Sequence, residues 1–196
     1  MLTVFAFAAA LFAQDAAAAP ASAQQTPADD GPIATAGRLP ESVSDLRLRE
    51  ALAYSNPLPR GAPDQDYPLV AWCDALVSGH VRLGETLTDR HPEDLEIIRL
   101  GRLESSDFRS ALAVAGPRQT PATRAAATQA AEAATARWTP LLAQEDEMAR
   151  SQAFGLFFGL PGRCEHAARR IRNDINTKPA TLDEVGLRSE GSDPVQ

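Results

Sequence analysis

Residues 69–87, LVAWCDALVSGHVRLGETL, decide the fold. Leu69, Cys73, Leu76, His80, Leu83 and Leu87 recur at steps of four and three, which puts all six on one side of an α-helix. Val70, Val77 and Val81 widen that stripe, so the helix must bury a broad face. A half-buried strand would alternate with period two, and the stretch does not. Gly79 and Gly84 weaken the helix slightly and mark places where a neighbour approaches closely.

The same period continues toward the C-terminus. Pro92, Glu93 and Asp94 suit a first helical turn, because proline needs no donor there and acids face the positive helix end. That third helix carries Leu95, Ile98 and Leu103, with a break or bend expected near Ser105 and Ser106 before it resumes through Phe108 and Leu112, and Gly116-Pro117 closes it. Thr120-Pro121 and Thr139-Pro140 each read as an N-cap followed by a first-turn proline. The first opens an alanine-rich helix reaching Trp138; the second opens one carrying Leu142, Ala149, Ala153, Leu156 and Leu160. Pro161-Gly162 is a turn, and Cys164, Ala168, Ile171 and Ile175 give the last long helix its stripe. Thr181-Leu182-Asp183-Glu184 has capping-box spacing, enough for a turn or two.

Toward the N-terminus, a first helix opens at Pro40 and carries Leu46, Leu48 and Leu52 to about Tyr54. The prolines at 57, 59 and 63 exclude helix between it and the second. Residues 24–39, QQTPADDGPIATAGRL, lack periodicity and read as a flexible linker. Before them, residues 2–13, LTVFAFAAALFA, form an apolar run of signal-peptide length, and Ala21-Ser22-Ala23 supplies an A-x-A cleavage site. No Lys or Arg precedes the run, so the usual positive n-region is absent. The expected organisation is a signal peptide over 1–23, a linker over 24–39, a helical domain over 40–178, and a short helical turn with a disordered tail over 179–196. Cleavage after Ala23 would deliver a periplasmic or secreted protein without a transmembrane span, and no cysteine near that site offers a lipid anchor.

Composition agrees. Hydrophobic residues make up 44% of the chain and aromatic residues 6%, a balance that folds and favours helix over sheet. The formal charge is −7, or −6 without the leader that carries Asp15, and such a chain repels phosphate backbones, which argues against nucleic acid as a partner. The fold class expected is all-α: a five- to six-helix bundle or irregular α-domain pinned by one disulfide.

That disulfide joins Cys73 and Cys164, the only cysteines, each inside an apolar stripe. Two cysteines in an oxidising compartment pair by default. A free core thiol pair and a redox-active pair are the competing readings, and the second wants a C-x-x-C arrangement that is missing. His80 lies seven residues after Cys73 and His166 two after Cys164, spacings that match no zinc motif, so no metal and no cofactor is expected. His80 reads as a buried histidine bonded to a neighbouring carbonyl or carboxylate, or, alternatively, as one side of a pocket between helices. No G-x-S-x-G, S-x-x-K, G-x-G-x-x-G or P-loop is present. The acid pairs Glu93/Glu96 and Glu145/Glu147 fall on solvated helix faces.

Two stretches hint at interaction. Phe154, Phe157 and Phe158 crowd one short segment, either a helix buried all round or an exposed partner patch. Arg163, Arg169, Arg170 and Arg172 make the last helix basic, fit for acids of the same chain or for an anionic envelope component.

Ala71-Trp72-Cys73-Asp74-Ala75-Leu76, together with Met148-Ala149-Arg150 and Leu160-Pro161-Gly162-Arg163-Cys164, resembles a group of small exported alphaproteobacterial helical proteins with two paired cysteines. The resemblance spans residues 67–175. It implies the helical fold and the paired cysteines; the group has no assigned activity, so no catalytic residue carries over. The expectation is a non-enzymatic envelope module that binds a protein or envelope component, with a small periplasmic enzyme or ligand binder using a pocket near His80 as the alternative.

Overall fold

The stripe on residues 69–87 becomes α2 (Asp66–Glu85), and Leu69, Val70, Trp72, Cys73, Val77 and Leu83 are its most deeply buried side chains. Pro68 is tolerated because it falls in the first turn, where its missing N–H has no intrahelical partner to lose. Leu87 lies just past the helix end and is still buried, drawn in by the bond from its N–H to the Gly84 carbonyl (3.2 Å). The computed structural model describes residues 42–157 and 159–187. The expected signal peptide, the linker, Phe158 and the tail from residue 188 lie outside them.

Among the described residues there are six α-helices and no strand: α1 (Val43–Ser55), α2, α3 (Pro92–Ala115), α4 (Pro121–Leu142), α5 (Glu147–Gly155) and α6 (Arg163–Arg172). The all-α class with one disulfide is therefore the fold. Helix α2 is the hub, packed against α4, α3, α6 and α5, while α1 packs on α6. No described helix is long and apolar enough to cross a membrane.

Local chemistry sets the ends. Ser42 Oγ accepts from the Asp45 N–H (3.1 Å) and Thr120 Oγ1 from the Thr123 N–H (3.1 Å), the N-cap bonds their residue types favour. The His91 N–H donates to Asp94 Oδ2 (2.8 Å) at the head of α3. Thr181 and Glu184 form a reciprocal capping box, Thr181 N–H to Glu184 Oε2 at 2.9 Å and Glu184 N–H to Thr181 Oγ1 at 3.3 Å.

Three expectations need correction. Thr139-Pro140 does not open a helix; α4 runs through it to Leu142 with Pro140 inside. Proline so near the end forgoes one intrahelical bond, and the extra turn brings Leu141 and Leu142 against the core. The next helix starts at Glu147, where Asp146 Oδ1 accepts from the Met148 N–H (2.9 Å), and it ends before Leu160. Helix α3 does not break at Ser105, because that hydroxyl is satisfied across the interface with α2. Leu95 and Leu103 are exposed; the buried side of α3 is Ile98, Gly101, Ser105, Phe108, Ala111 and Ala115.

Glycines set how closely α2 is approached. A Cβ on Gly79 would stand 2.0 Å from Trp138 Cδ1, and one on Gly84 2.5 Å from Phe154 Cε2. Cys73 and Cys164 are bonded, with Cα atoms 6.2 Å apart, and tie α2 to α6 across a separation of 91 residues.

Candidate functional site

His80 of α2 gathers Trp138, Phe154 and Phe157 around it. His80, 4% exposed, stacks on Phe154 (centroids 4.4 Å apart, planes at 19°) and lies against Phe157 (4.4 Å) and Trp138 (5.8 Å). His80 Nε2 sits 2.9 Å from the Phe154 carbonyl, which closes the last turn of α5. A carbonyl only accepts, so Nε2 carries the proton. Burial pushes the imidazole below its ordinary pKa, against the smaller upward pull of that hydrogen bond, and keeps it neutral near pH 7.

Beyond this cluster the surface opens into a cleft of about 300 Å³ walled by Pro59, Trp72, Leu76, Trp138, Leu141 and Phe157, with Arg137, Gly159 and Pro161 at its edge. The Arg137 guanidinium lies 5.3 Å from the Trp72 ring centroid, a cation–π distance, and its Nη2 donates to the Arg60 carbonyl (2.5 Å). Trp72 and Trp138 are the only tryptophans in the chain, and the indole N–H of each is buried without a partner among the described residues. Unpartnered buried donors are uncommon and ask for an explanation. Of the crowded phenylalanines, Phe154 is core and Phe157 is half-buried in the cleft wall.

A second constellation escaped the sequence. Arg170, 4% exposed, donates from Nη1 to Glu50 (3.0 Å), from Nε to Asp66 (3.0 Å), and from Nη2 to the Thr177 carbonyl. Arg169 adds a contact to Glu50 (3.1 Å), and Tyr54 donates its hydroxyl to Asp66 (2.6 Å). Burial opposes the charge on Glu50, but the hydrogen bonds from Arg170 and the Ala180 N–H outweigh it and hold the carboxyl below its usual range. Tyr54 is pushed well above its ordinary value by burial and by its bond to Asp66. Every charge in this network is paired, so it joins α1, α2, α6 and the segment after α6 rather than offering a reactive group. The basic face of the last helix is thus largely spent inside the chain, with Arg172 also paired to Asp107 (2.5 Å). Glu50 and Arg170 lie 120 residues apart, and no local signal in the sequence links them.

Smaller polar groups are also accounted for. Ser105 donates to Asp74 Oδ1 (2.6 Å) and lies 2.9 Å from Ser78 Oγ, a bridge between α2 and α3 with no histidine in it. Glu96 pairs with Arg99, and Glu147 accepts from the Thr88 N–H (2.5 Å). His166 is buried, its pKa lowered chiefly by that burial, and its Nδ1 has no partner among the described residues. Among the described residues no group of three or more His, Cys, Asp or Glu gathers to hold a metal.

The class these observations define is a disulfide-tied helical domain with one aromatic cleft. No protein-family model, curated protein or solved structure matches the chain.

Proposed function

We propose that the chain is a non-enzymatic binding module of the periplasm or extracellular space, and that its partner is a protein segment that seats an apolar side chain in the Trp72–Trp138–Phe157 cleft. The observation that carries the reading is the cleft itself: largely aromatic and aliphatic walls with Arg137 at the rim. Such a pocket offers apolar area for an anchor side chain and a cation at its edge for a backbone carbonyl or carboxylate, the make-up of a binding hot spot. The disulfide supports an oxidising compartment, since a reducing cytosol would keep both thiols free. The alternative, an enzyme or ligand binder using His80, draws less support: His80 faces a carbonyl, not a carboxylate, and is not among the residues walling the cleft.

A photo-crosslinking phenylalanine at Leu141, in the cleft wall, tests this against the same residue at exposed Thr128 on α4. The reading expects a crosslinked protein band from the Leu141 variant alone, lost on adding Phe157→Ala, with the mature chain recovered from the envelope. Equal bands from both positions, no band from either, or a chain retained in the cytosol with two free thiols would refute it.

A further inference from the structure

The largest cavity among those described lies away from the aromatic cleft, between the C-terminal end of α1, the start of α6 and residues 178–182; its volume is about 440 Å³. Ala51, Tyr54, Pro179 and Leu182 give it walls that are mostly carbon. Two cations line it, Arg163 and Lys178, and no carboxylate does. In a chain of net charge −7, an apolar cavity with two cations and no acid is against the average.

Three acids of the surrounding elements are committed elsewhere. Glu50 is held by Arg169 and Arg170, Asp66 by Arg170 and Tyr54, and Glu184 by the Thr181 N–H. Arg163 has neutral partners: its Nη2 donates to the Asp64 carbonyl (2.7 Å) and its guanidinium lies 4.5 Å from the Tyr54 ring centroid, while Nε is buried without a partner among the described residues. Lys178, the only lysine of the chain, enters no ion pair among the described residues. Two uncompensated cations beside carbon walls recognise a molecule that carries one negative charge and an apolar part, and the volume falls in the range of roughly 300–1,000 Å³ typical of small-molecule sites.

We infer that this cavity binds a small aliphatic carboxylate, its charge met by Arg163 and Lys178 and its chain lying over Ala51, Tyr54, Pro179 and Leu182. The site is independent of the aromatic cleft and stands or falls separately from it.

The lone lysine makes the test selective. Reductive ¹³C-methylation keeps the charge and labels only Lys178 and the N-terminal amine. The labelled full chain is titrated with octanoate, with 1-octanol (tail without charge) and with acetate (charge without tail). Octanoate is expected to move the Lys178 methyl resonance to saturation, with the other two at least tenfold weaker. Arg163→Gln should weaken octanoate about tenfold, the scale of one charge-assisted hydrogen bond. Leu182→Asn, in the segment after α6, gives a second variant that should weaken octanoate while leaving the acetate response unchanged. Sedimentation with phosphatidylglycerol vesicles separates a free amphiphile from a membrane surface: the inference expects the chain to stay in solution. A non-saturating shift, equal affinity for acetate and octanoate, indifference to both substitutions, or binding to vesicles but not to octanoate would overturn it.

Discussion

Replacing Arg170 by methionine tests whether the buried ion network holds the C-terminal half of the molecule in place. The side chain is 4% exposed and meets Glu50, 6% exposed, at 3.0 Å and Asp66 at 3.0 Å. At an effective dielectric of 20 each contact is worth about 5 kcal/mol gross, most of it offset by the cost of taking the charges out of water. Removing one partner loses the attraction and keeps that cost, so breaking a buried pair takes roughly 3–5 kcal/mol. Arg169 still reaches Glu50 at 3.1 Å and Tyr54 still donates to Asp66, which puts Arg170→Met near the lower end, about 3 kcal/mol at pH 7. The loss must depend on pH. Glu50 in the native fold sits below its ordinary pKa, so it adds stability above the unfolded value of about 4.3 and gives it up as pH falls through the lower folded value. Without Arg170 its burial acts with less opposition and the folded value rises, so the variant loses stability as pH climbs past 4.3. Urea denaturation at pH 7 and pH 3.5 should therefore show a wide gap between the two proteins at pH 7 and a narrow one at pH 3.5. Glu50→Gln in the Arg170→Met background should restore part of the loss at pH 7. A gap under about 1 kcal/mol at pH 7, or one of the same size at both pH values, would refute the reasoning.

Gly79→Ala should destabilise by about 2 kcal/mol in urea titration despite its better helix propensity, because its Cβ would fall 2.0 Å from Trp138 Cδ1; Gly155→Ala, with nothing within 4 Å, should be neutral or slightly stabilising. The double substitution Cys73→Ala/Cys164→Ala should cost about 4.5 kcal/mol through the freed 91-residue loop, and a denaturation midpoint unchanged from the oxidised protein would rule that out. His80 has a folded pKa below its unfolded value near 6.5, so its contribution is complete above that value and falls as pH drops through it. NMR titration should find His80 neutral and protonated at Nε2 at pH 6.5, and a normal or raised pKa would contradict the burial of the ring.

The parts of the fold legible in the sequence are those written in local period and in residue type. Helix α2 announced itself because Leu69 through Leu83 repeat at helical spacing, and Cys73 and Cys164 were paired from the compartment and their apolar faces. Pro140 misled because the proline rule describes a helix in isolation. Packing of Leu141 and Leu142 against the core repays one lost backbone bond, and no local signal distinguishes that proline from Pro121, which does open a helix. Ser105 misled in the same way, since its partner Asp74 lies 31 residues away on α2. The ion network of Glu50, Asp66 and Arg170 is a purely tertiary fact: the basic last helix allowed acids of the same chain as partners, but nothing local names Glu50 or Asp66.

The stripe on α2 looks uniform in sequence, yet the structure divides its residues among different neighbours. Cys73 meets α6, Gly79 admits Trp138 of α4, His80 supports Phe154 and Phe157, Val81 touches Gly101 of α3, and Gly84 receives Ile98 and Phe154. The aromatic cleft is therefore a product of how closely α4 may approach α2. Trp138 reaches its place only because Gly79 has no side chain, and Trp138 in turn forms one wall and touches both His80 and Phe157. A ligand that displaces Trp138 must push α4 off α2, because close packing leaves the ring no slack. Binding in the cleft and stability of the α2–α4 interface are thus coupled. A substitution at Gly79 should change affinity and denaturation midpoint together, whereas one at Arg137, on the rim, should change affinity with little effect on the midpoint.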